Sequence, residues 1–309
     1  MLDQRRGVAA GCSAMIIVLL TSSCVIYGLD DRKNYNDDAV DDNERRAADA
    51  TAALVRVSKL SPVRGGKAFD LPSDNVIEGG RGLCSPDQAK KYGRPPEAFW
   101  DEPNPAFCSG FKVGRRLIAT AGHCVKSEEE CRDTRIVFKF YKDDKKYSLP
   151  GKSIPAQNVY KCVGIFDEYR PDSGRSDWQV VEVDREIAAP ETTIRKSADG
   201  LIARGERLTV IGYPLGLPVK IASGAEVRQV NKKTFIANLD AYHGSSGSAV
   251  FNTTKLRNGE LFVEGILVEG EKDFEAKTAG RCLISKRCPQ DECTGEHVTV
   301  ASEIEPALQ

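Results

Sequence analysis

The sequence predicts an all-β protein of short strands closed into a sandwich or barrel. Three observations predict it. Short runs rich in Val and Ile recur along the chain, each bounded by turn residues. No long segment between them has helical periodicity, which disfavours a sheet with helical crossovers. Gly and Pro punctuate the intervals, as in sandwiches and barrels. The strands run in order as 53–57 (ALVRV), 116–120 (RLIAT), 135–140 (RIVFKF), 178–183 (WQVVEV), 207–211 (RLTVI) and 261–268 (LFVEGILV). The segment 61–105, rich in Gly, Pro and Asp, is expected to be mostly loop. No repeat of fixed period is present.

The 309 residues carry 45 acidic and 44 basic side chains, a net charge of −1. That balance lacks the basic face nucleic-acid binding needs. Ten cysteines suit an oxidising compartment. Arg5 and Arg6 precede an uncharged run from Gly7 to Leu29, centred on Ala14–Leu20. Basic residues before an apolar stretch mark residues 1–29 as an export or lipoprotein signal. A run of this length could also anchor in a bilayer. Within it, Leu20-Thr21-Ser22-Ser23-Cys24 resembles a bacterial lipobox, which implies lipidation of Cys24. Thr21 departs from the aliphatic residue usual there. Residues 30–50 hold eight acidic and four basic side chains and are expected to be a solvated linker. The main domain then spans 51–309, divided near 190–205.

The chemistry concentrates in three segments. His123 lies in Thr120-Ala121-Gly122-His123-Cys124, just after a strand. Asp177 opens the strand 178–183, where its carboxylate can be buried. Ser246 lies in His243-Gly244-Ser245-Ser246-Gly247-Ser248-Ala249, a glycine-framed turn whose amides can converge on one point. A serine hydroxyl is a weak nucleophile at neutral pH and needs a base beside it. Histidine supplies that base, and a carboxylate fixes its tautomer.

These segments, in the order His, Asp, Ser, resemble the chymotrypsin-like (trypsin-like) serine peptidases, nearest to the bacterial secreted type that includes glutamyl endopeptidases. The order differs from that of subtilisins and α/β-hydrolases. The resemblance is strongest from Phe107 to Gly270. It implies two six-stranded antiparallel β-barrels with His123 and Asp177 on the first and Ser246 on the second. It also implies an oxyanion hole from the amides of Gly244 and Ser246. The G-x-S-G spacing selects Ser246 over Ser245 and Ser248. Asp240, six residues before Ser246, matches the acid that floors the trypsin pocket and would select Arg or Lys. Val268, Glu269 and Gly270 match the strand that pairs with substrate backbone. His243 and Tyr242 are expected to rim the pocket. Leu267 occupies the position of the histidine that selects glutamate in glutamyl endopeptidases, which argues against that preference.

Ser245 stands where animal trypsins carry the aspartate that receives a new N-terminal ammonium. A trypsin-style activation switch at Ile77-Glu78-Gly79-Gly80 is therefore not expected. Cys108 and Cys124 are expected to pair, and Cys131 with Cys162 is a second guess. The pairing of Cys84, Cys282, Cys288 and Cys293 stays open, and a zinc cluster of the last three with His297 is the less favoured reading. The expectation is an exported monomeric serine endopeptidase, periplasmic, outer-membrane or secreted. It acts on protein or peptide, needs no cofactor or metal, and touches membrane only through its N-terminus. The rivals are a non-catalytic binding module on the same fold and an esterase using the same triad.

Overall fold

A computed structural model describes residues 25–72, 74–75, 77, 82–142, 153–169, 176–276 and 282–309. The first barrel is formed by β1 (Thr51–Arg56), β2 (Ala106–Lys112), β3 (Leu117–Thr120), β4 (Thr134–Phe138), β5 (Val159–Tyr169) and β6 (Trp178–Val183). It closes in the order β5-β6-β3-β2-β1-β4. The second is formed by β7 (Arg207–Gly212), β8 (Lys220–Val230), β9 (Thr234–Ala237), β10 (Ala249–Asn252), β11 (Phe262–Glu269) and β12 (Glu296–Val300). Its order is β11-β10-β7-β8-β9-β12, and pairing of β12 with β11 closes it. All pairings within both barrels are antiparallel. The two-barrel architecture expected from the resemblance is the one observed.

Side-chain alternation explains why β1 carries no polar face. Ala52 and Leu54 pack with Ile118, Ile136 and Val181. Ala53 and Val55 join Phe111 and Val180 to Ile211, Phe251 and Ile266 of the second barrel. A strand buried on both faces reads as an unbroken apolar run. Leu208, Val210, Phe235, Val250, Leu267 and Val298 form a separate cluster in the second barrel.

The N-terminal expectations need correction. Val25, Ile26 and Tyr27 are buried, and Ile26–Tyr27 pairs with Arg287–Cys288. Residues 25–29 are thus part of the folded body, while 1–24, with Cys12 and Cys24, lie outside the described residues. The expected linker 30–50 is folded too. Lys33–Asn34 pairs with β8, and residues Asp42–Asp49 form the helix α1 with a capping box between Asp41 and Glu44. Its charges mislead because their partners are remote in sequence. Arg32 bonds Asp30 and Glu97 and lies over the Tyr242 ring at 4.5 Å. The helix buries Ala47 and Ala48 against the body, together with Glu44, which accepts from Ser223 Oγ.

The segment 61–105 is less irregular than expected. It contains Ser61–Val63 and Ala68–Asp70 in a small sheet, and the capped helix Pro86–Lys91. Four disulfides join Cys84–Cys282, Cys108–Cys124, Cys131–Cys162 and Cys288–Cys293. The three cysteines of the alternative zinc cluster are therefore oxidised. Among the described residues, no helix is long and apolar enough to cross a membrane.

Candidate active site

His123 sits in a single 3₁₀ turn, Gly122–Cys124, that follows β3. Its Nδ1 lies 2.6 Å from Oδ2 of Asp177. Gly122 makes this approach possible: a Cβ there would fall 2.4 Å from Asp177 Oδ1. Asp177 precedes β6, and its backbone is gripped from the other barrel. The Asp177 amide donates to Thr299 Oγ1 at 3.0 Å, and Thr299 Oγ1 stands 3.3 Å from the Asp177 carbonyl. Thr299 lies on β12, and nothing in its sequence context marked it out.

Ser246 is held from both barrels. The Ser109 amide on β2 donates to the Ser246 carbonyl at 2.8 Å. Cys124 Sγ, part of the disulfide beside His123, lies 3.7 Å from the same carbonyl. A ring nitrogen of His123 and both sulfurs of that disulfide lie within 4.8 Å of one another. Since the sulfurs are bonded together, this trio is not a thiolate metal site. The Ser246 hydroxyl donates to the Val268 carbonyl at 3.1 Å. This puts Ser246 against the strand singled out for substrate pairing.

The turn around Ser246 has two glycines in the left-handed region, Gly244 at φ +96° and Gly247 at +87°. A Cβ on Gly247 would strike the Ser109 carbonyl at 2.0 Å. Ser245 N donates to Tyr242 O at 2.9 Å and Ser248 N to Ser245 O at 2.8 Å. Among the described residues, the amides of Gly244 and Ser246 have no hydrogen-bond partner. The rival serines are engaged or shut away. Ser248 is fully buried, with its hydroxyl against Gly212. Ser245 Oγ accepts from the Tyr242 amide.

Two pocket expectations change. Tyr242 is fully buried, stacked on Phe274 at 5.2 Å, with its hydroxyl donating to Glu97; it rims nothing. His243 remains exposed. Asp240, matched above to the acid that floors the trypsin pocket, is buried and accepts the amides of Tyr27 at 2.6 Å and Asp31 at 3.1 Å. Position counting could not see this, because the donors come from the N-terminal segment. A second acid, Glu296 on β12, is fully buried and accepts from Val25 N and Tyr27 Oη. Its Oε2 lies where a Cβ on Gly270 would be, so any side chain at 270 would displace the Glu296 carboxylate. Of the expected activation segment, only Ile77 is among the described residues.

Burial, followed by the charge of Asp31, pushes the Asp240 carboxyl up to about 8. Burial also raises Asp31, which hydrogen-bonds Asp240. The pair thus holds a proton more tightly in the folded state than in the unfolded chain. Its contribution to stability is full below the unfolded value of roughly 4 and is lost as pH rises through about 8. The melting temperature is expected to fall across this window, and less steeply in Asp240→Asn. Identical slopes for the two proteins would show that the pair does not titrate there.

Residues 108–257 match the family model of the trypsin-like peptidase domain. The trypsin-like match begins at Cys108, spans His123, Asp177 and Ser246, and covers just under half of the chain. Among solved structures, a Glu endopeptidase in complex with MPD is 14% identical, with 92% of this chain and 97% of that chain covered and a TM-score of 0.48. A scabies mite inactivated protease paralogue is 12% identical, with 84% and 92% covered and a TM-score of 0.45. No curated protein matches the chain.

Proposed function

We propose that the protein is an exported serine endopeptidase using His123, Asp177 and Ser246. The observation that carries this is the 2.6 Å contact of His123 with Asp177, made beside a glycine-framed Ser246 turn whose Gly244 and Ser246 amides have no partner among the described residues. In the reaction, Ser246 turns from the Val268 carbonyl and attacks the scissile carbonyl. His123 takes the serine proton and returns it to the leaving amine. Asp177 holds the imidazole in the tautomer that places its basic lone pair on Nε2 and stabilises the imidazolium. The Gly244 and Ser246 amides receive the oxyanion, and water then hydrolyses the acyl-enzyme by the same steps in reverse. Val268, Glu269 and Gly270 pair with substrate backbone.

Residue preference follows other groups than Asp240. A carboxyl that burial keeps largely protonated near neutral pH, and that already accepts two backbone amides, is a poor partner for an arginine fork. Cleavage-site profiles of wild type and Asp240→Asn are expected to coincide; loss of a basic preference in the variant would return Asp240 to the pocket.

Four disulfides suit an extracytoplasmic location. The Arg5-Arg6 signal supports export, and Cys24 is the proposed lipidation site. Because Val25 is already buried, a lipid on Cys24 would hold the folded body close to the bilayer. Mass spectrometry of the membrane-extracted N-terminus tests this. The peptidase reading itself is tested with a fluorophosphonate probe and a peptide library. Labelling at Ser246 with peptide cleavage supports it. An unlabelled protein points to a binding module, and turnover of esters alone points to an esterase.

A further inference from the structure

The turn that carries Gly244 has to keep one peptide plane, between His243 and Gly244, facing the substrate. With Gly244 at φ +96° and no acid at position 245, nothing within the turn itself prevents that plane from flipping. Resting on the peptidase reading above, we propose that Ser109 and Asp273 are positioning residues that hold this oxyanion turn in its working shape from outside.

The bonds fall on either side of the critical plane. On the near side, the amide of His243 donates to Asp273 Oδ2 at 2.9 Å, and Asp273 is buried. On the far side, the hydroxyl of Ser109 donates to the Gly244 carbonyl at 3.0 Å. The same hydroxyl accepts the Tyr213 amide at 3.0 Å, which fixes its direction. Ser109 is fully buried, and Thr120 Oγ1 donates to its carbonyl at 2.7 Å. The central plane is then pinned through its own carbonyl, since Leu215 N–H donates to His243 O at 2.6 Å. A trans peptide holds its N–H opposite its C=O, so this bond aims the Gly244 amide the other way. Leu215 makes it from a left-handed conformation, φ +56°, that a leucine rarely adopts. Backbone strain of this kind persists where the surroundings over-determine it.

Ser109 therefore links the barrels three times, by its amide to Ser246 and by its hydroxyl to Gly244 and Tyr213. The hydroxyl supplies the fixed orientation that a charged group beside the serine would otherwise provide. It touches no substrate, so its effect should appear in the transition state and not in ground-state binding.

The test compares wild type with Ser109→Ala and Asp273→Asn, using a peptide substrate, a peptidyl boronic acid and thermal melting. A misplaced donor is expected to lower kcat about 10²-fold with KM little changed. Boronic acid affinity should fall in parallel with kcat/KM, a pattern that general loosening of the fold would not give. Asp273→Asn keeps the inference testable if Ser109→Ala does not fold. A folded variant with wild-type kcat, or with boronic acid affinity unchanged, overturns the inference. A wild type that neither cuts peptide nor binds the boronic acid overturns the peptidase reading instead.

Discussion

Replacing Ser246 with alanine is expected to lower peptide hydrolysis by about 10⁶-fold while leaving the melting temperature within a few degrees of wild type. The size follows from cooperation. Without the hydroxyl, the base has nothing to activate, and the oxyanion amides stabilise only attack by water. His123→Ala should cost nearly as much, and the double variant little more than either alone. Additive losses would mean that the two side chains do not act as a unit. The structural effect should be small because, among the described residues, the Ser246 hydroxyl bonds only the Val268 carbonyl. The Ser246 backbone, held by Ser109, is untouched by the substitution. Residual peptide hydrolysis near the wild-type rate in Ser246→Ala would refute the nucleophile assignment.

The largest loss of stability is expected at Lys220, far from the chemistry. Its ammonium is buried and reaches Glu102 at 2.6 Å, Asn34 at 2.8 Å and the Pro218 carbonyl at 2.9 Å. It also lies over the Phe99 ring at 4.6 Å. Burial pulls its pKa down to about 8, against the opposing pull of Glu102. Lys220→Ala leaves the buried Glu102 carboxylate with Lys142, at 3.2 Å, as its remaining ion-pair partner. Breaking a buried pair from one side typically costs about 3–5 kcal/mol. Denaturant unfolding should show a loss of that order in Lys220→Ala. A double variant, Lys220→Met with Glu102→Leu, should recover much of it, because no charge is then stranded. A single variant within 1 kcal/mol of wild type, on the scale of an exposed pair, would show that the cluster is effectively solvated.

The barrels were legible because their strands carry their own signal. The run 178–183 became β6, and 207–211 lies within β7, because Val and Ile on a half- or fully buried strand need no distant information to be recognised. His123 and Ser246 stand out as candidates because each lies in a local motif, and Asp177 because it opens an apolar strand between them. Other features depended on contacts between residues far apart. Asp31 and Asp240 are 209 positions apart, so no local pattern reveals that the amide of one occupies the carboxylate of the other. The residues 30–50 read as solvated because their charges were counted without Glu97, Ser223 and Lys220, which meet them only after folding. Thr299 and Ser109 act through single hydroxyls in ordinary strand contexts, which gives a sequence reader nothing to seize on.

The bond from Val25 to Glu296 spans 271 residues and closes the body almost end to end, like a belt fastened at its buckle. The strand that carries the buckle, β12, also carries Thr299, the hydroxyl that grips Asp177. Peeling back Val25, Ile26 and Tyr27 would therefore not fray a harmless edge. It would slacken the strand that grips the Asp177 backbone, so loosening of this segment and decay of the proposed catalytic centre would proceed as one event.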